Sequence, residues 1–244
     1  MTCWRQAVMN SLIKDKDLIE QWLISYAIKD YTILEHSIYG FVVNVNSDVD
    51  LFAKELSFIP VKFNCIEGNF NCSYNQLVNL VGCPDRVEGN FNCSWNKLIN
   101  LEHCPSSIGG SLYCEMNKLN SLSGCPEVVK ADMIASSNNL MNLSGAPSKV
   151  LGVLDLKDNF IGSINVSPEC EYNTVVLHNN PLTIKDLEAQ QLPQFERIYL
   201  GKYDDDYLTR KDVVVFLEKQ SLSENTKKMG LIDRIKKTLL SYYG

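Results

Sequence analysis

Cysteine is the residue type in this chain with the most obvious capacity for chemistry, and there are nine of them. Six recur in two series with steps of 21 residues: Cys72, Cys93 and Cys114, and Cys83, Cys104 and Cys125. A structural metal site needs closely spaced ligand pairs such as Cys-x-x-Cys, and the sequence has none. Because a free thiol behaves as a small, easily buried hydrophobic group, we interpret both series as core residues. A thiol-active site or a disulfide ladder is the alternative.

Other catalytic groups are scarce. The histidines are His36, His103 and His178, and no G-x-S-x-G, H-E-x-x-H or P-loop pattern accompanies them. The acidic run 204–206 is typical of a solvated turn before a helix, with a metal-binding cluster as the alternative. The sequence therefore predicts a protein that is not an enzyme, with no catalytic residue, no metal and no cofactor.

Composition sets further limits on function. The 244 residues are 45% hydrophobic, which is ordinary for a globular chain, and the formal net charge is -6. An acidic chain has no electrostatic reason to bind nucleic acid or anionic membrane. Charged residues at 14–17 interrupt any signal-peptide core, and apolar runs are far shorter than the roughly 20 residues of a membrane span. We expect a soluble, cytoplasmic protein without nucleic-acid or membrane partners.

A repeat of 21 residues positions the cysteines. Its pattern is apolar-x-x-x-apolar-x-apolar-x-x-Asn-x-apolar-x-x-apolar, and the first copy runs from Ile66 to Leu80. Five copies keep the whole pattern, and a sixth keeps its centre. The repeated asparagines are Asn75, Asn96, Asn117, Asn138, Asn159 and Asn180. Such regularity predicts stacked repeats, with an ordinary all-β domain of accidental similarity as the alternative.

Each position of the repeat has a physical role. The apolar-x-apolar step has the period of a strand with one buried face. A short amide after the strand competes well for backbone hydrogen bonds, so the stacked asparagines should form a ladder. Proline follows Cys83, Cys104, Cys125 and Ala146 on the return leg, where no donor is needed. One repeat cannot bury its own face, so stability must come from stacking.

The units NQLVNLVGCPDRV, NKLINLEHCPSSI and NKLNSLSGCPEVV resemble the short leucine-rich repeats of bacteria and bacteriophages. The resemblance covers about residues 59–203. Residues 18–62 resemble the helix-plus-strand lead-in of uncharacterised phage-encoded repeat proteins. The resemblance of the repeats implies an α/β solenoid, which is a leucine-rich-repeat horseshoe or arc with a parallel concave sheet. Similar repeats in secreted effectors can precede a ubiquitin-ligase domain with a catalytic cysteine, but residues 204–244 contain no cysteine.

The resemblance and the pattern together divide the chain into three parts. Residues 1–58 are an N-terminal helix-plus-strand cap, residues 59–203 the solenoid and residues 204–244 a C-terminal helical cap. We predict a helix at 17–27 capped by Asp15 or Asp17, strands at 41–45 and 61–65, and a helical leg at 184–191. Residues 198–200 should form a divergent seventh strand, followed by helices near 207–219 and 224–242. The last helix has a basic side, and a membrane or nucleic-acid element is the alternative to a cap.

The positions that flank the buried strand residues should face outward on the concave sheet. Tyr74, Trp95 and Met116 precede the first three asparagines and should line the rim, a pattern typical of interface anchors; folding back over the coil edge is the alternative. We predict that a partner contacts Tyr74, Trp95, Tyr113, Glu115, Met116, Asp132, Ile134, Asp155, Lys157, His178, Arg197 and Tyr199.

The expected function is that of a non-enzymatic scaffold that binds a partner protein on its concave repeat surface. The resemblance implies a phage-encoded inhibitor or modulator of a bacterial host protein, a defence protein included, acting in the host cytoplasm. The alternative is a secreted leucine-rich-repeat effector or a surface adhesin. The sequence identifies neither the partner nor the oligomeric state, and it leaves open whether the caps also bind.

Overall fold

The chain folds into a parallel β-solenoid of about seven turns. The computed structural model describes residues 12–183, 186, 192–200 and 207–209. One helix, α1, spans Lys16–Ser25 in these residues. The strands are β1 Tyr31–His36, β2 Gly40–Val45, β3 Val49–Asp50, β4 Phe63–Ile66, β5 Phe70–Asn71, β6 Arg86–Val87, β7 Phe91–Asn92, β8 Ser107–Ile108, β9 Leu112–Tyr113, β10 Val128–Val129, β11 Met133–Ile134, β12 Lys149–Asp155, β13 Glu171–Val176, β14 Gln194–Tyr199 and β15 Tyr207–Thr209.

Two sheets run along the solenoid. The short sheet has the order β1-β2-β4-β6-β8, and the long sheet has the order β15-β14-β13-β12-β11-β9-β7-β5-β3, with β10 paired to β12. Neighbouring strands are parallel, except for the antiparallel pairs β1–β2 and β14–β15 at the two ends. The long sheet is the strand row that the repeat predicts, because Phe70 pairs with Phe91 one repeat later. Strands β2 and β4 of the short sheet overlap the strands predicted at 41–45 and 61–65, whereas β6 and β8 were not predicted, because the pattern indicates one strand per repeat.

The interior is built from the repeat positions. Phe63, Phe70 and Phe91 are fully buried: the Phe70 and Phe91 rings stack from one coil to the next with centroids 5.7 Å apart, and Phe63 meets Phe70 edge-to-face at 5.4 Å. Burying each such ring contributes roughly 1.5–3 kcal/mol. Cys72, Cys83, Cys93 and Cys114 are fully buried, while Cys104 and Cys125 are partly buried. All eight cysteines in the described residues are free thiols, which confirms the core interpretation for these two series.

Helix α1 covers the N-terminal end of this core. The Asp15 carboxylate accepts the Leu18 N–H at 3.1 Å, so Asp15 is the N-cap, one of the two predicted candidates. The helix buries Ile19 and Leu23 and places Trp22 with its ring 6.2 Å from that of Phe63. Its last residue is Ser25 rather than the predicted residue 27, because the backbone at Ala27 is left-handed, with φ 56°.

The C-terminal predictions are tested in part. The helix predicted near 207–219 is wrong in its first turn, because Tyr207–Thr209 forms β15 and pairs with β14. Tyr and Thr favour strands, and the open edge of β14 offers unpaired backbone groups to this segment. Strand β14 includes Ile198, which confirms the seventh strand. The helix predicted at 224–242 and most of the helical leg at 184–191 lie outside the described residues.

Candidate functional site

The repeated asparagines fix the turn that leaves each strand of the long sheet. Asn96 is representative: its Nδ2 donates to the carbonyls of Cys72, Cys93 and Ser94 at 3.0–3.2 Å, and its Oδ1 accepts the Leu77 N–H at 2.9 Å. Each asparagine therefore ties its own coil to the preceding one. The predicted ladder is confirmed at all six positions, which are Asn75, Asn96, Asn117, Asn138, Asn159 and Asn180.

The residue before each asparagine has a left-handed backbone. The φ angles lie between 53° and 56° at Tyr74, Trp95, Met116, Ser137, Asp158 and Asn179, and Ala53, which precedes Lys54 in the first coil, has φ 51°. This conformation costs an L-residue roughly 1–2 kcal/mol, and Asn and Asp tolerate it best. The C-terminal coils follow that preference with Asp158 and Asn179, whereas the N-terminal coils place two aromatic residues and a methionine there.

Those three side chains and Phe52 form an exposed row, which we name the aromatic ridge: Phe52, Tyr74, Trp95 and Met116. The ring centroids of Phe52 and Tyr74 are 5.1 Å apart, and those of Tyr74 and Trp95 are 4.8 Å apart with planes inclined by 13°. The exposed fractions are 46%, 48%, 41% and 37%. Tyr74 and Trp95 cover one another's faces and present their edges to solvent. This exposure argues against the alternative in which the rim side chains fold back over the coil.

Phe52 was missed by the sequence reasoning. It lies in a coil that precedes the first complete repeat, in which Val49 pairs with Phe70 and Leu51 is fully buried. The signal was present, because Val49 and Leu51 stand 21 residues before Phe70 and Cys72. In this coil Lys54 takes the place of the repeated asparagine, so the pattern breaks at its most conspicuous position.

The outward side of the long sheet holds most of the other predicted contact residues. Lys157 and Arg197 are exposed. Five others are partly exposed: Tyr113, Glu115, Asp132, Ile134 and Tyr199. Asp155 and His178 are the two predicted contact residues that are buried, with 9% and 5% exposed. Asp155 accepts the Lys157 N–H at 3.0 Å and pairs with its ammonium at 3.3 Å, and the Tyr199 ring lies edge-on to that of His178.

A second ladder, which the sequence reasoning missed, runs along the corner between the two sheets. The side-chain oxygen of each member accepts a hydrogen bond from the backbone N–H of the residue one repeat later. For example, the Asn90 Oδ1 accepts the Ser111 N–H at 2.7 Å. Asp132 belongs to it and accepts the Val153 N–H at 2.8 Å, so it has a structural role besides the predicted contact role. The members are Asp48, Asn69, Asn90, Ser111 and Asp132.

Glu115 is a residue of this face whose ionised form is disfavoured by burial. Desolvation raises the pKa of its carboxyl, and the charge of Asp155 raises it further. Hydrogen bonds with its own backbone and with Ser94, and the charge of Lys157, lower that pKa but do not cancel the effect of desolvation. Its Oε2 is buried and has no hydrogen-bond donor in the part of the chain that the structure describes. An ionised oxygen without a donor costs free energy, so Glu115 has an unmet interaction.

Elsewhere the described residues offer less to a ligand. A polar groove of about 480 Å³ lies on the short sheet, where Arg86 donates to the Cys65 thiol at 3.2 Å and pairs with Glu88 at 3.1 Å. The described residues contain no group of three or more His, Cys, Asp or Glu side chains placed to hold a metal ion. In the same residues no helix has the length and apolarity needed to cross a membrane.

The fold and the ridge define a class, that of parallel β-solenoids stabilised by stacked side-chain ladders and carrying an exposed row of aromatic residues. No protein-family model matches the sequence. No curated protein matches it at a significant level. The functional argument therefore rests on the side chains of the ridge and the long sheet.

Proposed function

We propose that this chain is a non-enzymatic scaffold that binds a partner protein through the aromatic ridge and the adjoining face of the long sheet. The observation that carries the proposal is the placement of Tyr74 and Trp95. Each occupies a left-handed position that suits Asn or Asp, and each exposes more than two fifths of a large ring. Neither feature benefits the folded monomer.

The backbone conformation at Tyr74 and Trp95 costs more than their stacking returns. The left-handed backbone opposes folding by roughly 1–2 kcal/mol at each position, and the stacking of one aromatic pair returns only about 0.5–1.5 kcal/mol. Exposed aromatic residues in a row are typical of the anchors that dominate the binding energy of protein interfaces. Binding of a partner explains why costly side chains occupy these turns.

The shape of the surface favours a macromolecule over a small ligand. Small molecules bind in concave pockets that cover most of their surface, whereas the ridge is a raised edge. Four residues in successive coils, at a strand spacing of about 4.8 Å, span roughly 14 Å, and the long sheet extends the contact surface over further coils. This extent suits the central part of a protein interface.

The finer assignment rests on the resemblance described above. On that basis the chain is a leucine-rich-repeat protein with an N-terminal helix-plus-strand cap and a C-terminal helical cap. Its role is that of a phage-encoded inhibitor or modulator of a bacterial host protein, and it acts in the cytoplasm. The asparagine at every complete repeat and the α1 helix on the first coil support the repeat class and the N-terminal cap, while the phage origin, the inhibitor role and the cytoplasmic location rest on analogy.

A ridge variant tests the proposal. Tyr74→Asn combined with Trp95→Asn removes the rings and places a favourable residue in each left-handed turn, so the thermal midpoint should be unchanged or higher. Captured bacterial proteins are compared with wild type by quantitative mass spectrometry. Phe160→Asn is the matched control, because Phe160 is a 61% exposed aromatic residue outside the ridge.

We expect the folded ridge variant to lose specific partners that the Phe160 variant retains. A stable ridge variant with the same partners as wild type contradicts the proposal, as does equal loss in both variants.

A further inference from the structure

The ridge joins a second surface of different character. Four acidic side chains lie on the long-sheet face and its rim, from the coil of Met116 through the next two coils; Asp155 among them is 9% exposed and pairs with Lys157. We name this group the acidic patch: Glu115, Asp132, Asp155 and Asp158. The patch therefore places negative charge next to the apolar ridge, while Arg197 adds a positive charge two coils further along the face and Asp50 lies beside Phe52 at its N-terminal end.

The two surfaces meet at one dipeptide. Met116 is the last residue of the ridge, and Glu115, its neighbour in the chain, is the first residue of the patch. The Glu115 carbonyl accepts the Trp95 N–H at 3.0 Å, so the ridge and the patch share a hydrogen-bonded pair of turns. A partner seated on the ridge therefore also lies beside Glu115.

Neutralisation within the patch is incomplete. The Lys157 ammonium pairs with Asp155, and Asp158 accepts a hydrogen bond from the neutral Asn179 amide at 2.8 Å. Asp132 accepts a backbone N–H. Glu115 has a buried oxygen without a donor in the described residues, and its pKa is raised because the carboxyl is desolvated.

We infer that the partner is a protein with a basic surface, which places an apolar side chain on the ridge and a lysine or arginine against Glu115 and the patch. This inference rests on the proposed function and specifies its partner class. Complementary charge accelerates association and excludes partners of the wrong sign. A nucleic acid, the other polymer that stacks on aromatic rings, would be repelled by the carboxylates.

The favoured cation follows from the geometry of the acceptors. A guanidinium offers a fork of N–H donors to carboxylates and can lie against an aromatic edge or a methionine. Arginine therefore suits the site formed by Trp95, Glu115 and Met116 better than lysine does. Contact with a cation favours the charged form of Glu115 and lowers its pKa. Binding should therefore release a proton at a pH near the raised value.

The experiment uses a random linear-peptide library displayed on yeast. The baits are the wild-type chain, Glu115→Gln, the Tyr74→Asn/Trp95→Asn variant, and Glu102→Gln. The last is a matched control, since Glu102 is exposed and lies outside the patch. Enriched peptides are synthesised, and their Kd values are measured at low and high NaCl concentrations.

Wild-type and Glu102→Gln baits should enrich peptides that combine an apolar residue with arginine or lysine. Added salt should weaken the complex, and Glu115→Gln should weaken it about tenfold, as expected for loss of one charge pair. Removing the ridge should abolish binding.

The two claims fail in different ways. If the peptides require the ridge but show no basic preference, and Glu115→Gln binds them equally well, the basic-partner inference is overturned and the proposed function stands. Enrichment of acidic peptides also overturns the inference. If the enriched peptides bind the ridge variant as tightly as wild type, the proposed function fails.

Discussion

The Asn90 side chain fills the space that a Cβ atom on Gly110 would occupy. A Cβ atom on Gly110 would lie 2.2 Å from the Asn90 Oδ1, which accepts the Ser111 N–H at 2.7 Å. The same relationship holds between Gly152 and Asp132, with a separation of 2.1 Å. The corner ladder therefore requires glycine wherever the side chain one coil earlier is Asn or Asp.

Ala131 tests this rule within the natural sequence. The ladder member that faces it is Ser111, whose hydroxyl is one atom shorter and accepts the Asp132 N–H at 3.2 Å. A glycine is dispensable at that coil because serine leaves room for a methyl group. The sequence thus pairs residue types across a step of 20 residues, as it pairs Gly110 with Asn90.

The first prediction concerns this pair. Gly110→Ala should destabilise the protein by about 1–3 kcal/mol, because the methyl group displaces the Asn90 amide and the backbone must shift. Adding Asn90→Ser should restore most of the loss, since it recreates the Ser111–Ala131 arrangement. Urea unfolding midpoints of wild type, both single variants and the double variant give the coupling between the two positions.

Gly162→Ala is the control for the change in unfolded-state entropy, because a Cβ atom there would meet nothing within 4 Å. It should leave the midpoint unchanged or raise it. Simple additivity of the two changes at positions 90 and 110 would show that the side chains do not compete.

The second prediction concerns the asparagine ladder. Asn138 donates to the carbonyls of Cys114, Ala135 and Ser136 and accepts the Leu119 N–H. Asn138→Ala should lower the free energy of unfolding by about 3 kcal/mol, since it leaves several buried backbone groups without a partner. Unfolding is followed by far-UV circular dichroism in urea.

Asn139→Ala is a matched control on the next residue, whose side chain is exposed. Its effect should be within about 0.5 kcal/mol, as is usual for surface changes. If both alanine variants unfold at the same urea concentration, the ladder contributes no stability at this coil.

The repeat made the long sheet and the asparagine ladder predictable. Both follow from the types of single residues at a fixed step, such as the apolar pair at 70 and 72 and the amide at Asn75, so the sequence carries them directly. The row of buried thiols was predictable from the same fixed step. Because the sequence has no Cys-x-x-Cys pair, Cys93 had no alternative role as a metal ligand.

Other features depend on geometry that a single repeat does not show. Within the repeats, the short sheet is formed by two-residue strands such as Arg86–Val87, which are too short to show the alternating pattern of a strand. The burial of His178 depends on the divergent strand β14 and its Tyr199. The left-handed turn at Trp95 gives no signal, because aromatic residues are poor markers of that conformation.

The third prediction uses the thiols. Burial raises the pKa of Cys93 and Cys114 well above the ordinary value, and it raises that of Cys125 to about 12. The Cys72 thiol has a raised pKa because it hydrogen-bonds with Cys83 and is fully buried. The thiolate is the reactive form, so these residues should resist alkylation in the folded protein at pH 8.

Cys65 is partly exposed beside Arg86, so it should be alkylated first among the eight described cysteines. Peptide mapping after timed treatment with iodoacetamide ranks the sites, and denatured protein is the control in which the differences should disappear. Labelling of Cys93 as fast as Cys65 under native conditions would show that the interior is not packed as described.

The last prediction concerns Glu115 and pH. Desolvation raises the pKa of this carboxyl in the folded state above the ordinary value of 4.5. Above the raised pKa the residue is ionised in both states, and the folded state has the full cost of the desolvated charge. Below 4.5 it is protonated in both states, and that cost is absent. The stability that Glu115 contributes is therefore present at low pH and lost as pH rises through the folded pKa.

Glu115→Gln removes the ionisation and keeps the shape of the side chain. The variant should have a higher thermal midpoint than wild type at pH 7, and the difference should shrink as the pH falls toward 4.5, because only the wild-type protein then gains a proton at this position. Glu102→Gln, at an exposed site, should show no such pH-dependent difference. A Glu115→Gln variant that is less stable than wild type at pH 7 would mean that the charge is stabilised within the monomer, and the carboxylate would then have no unmet interaction to offer a basic partner.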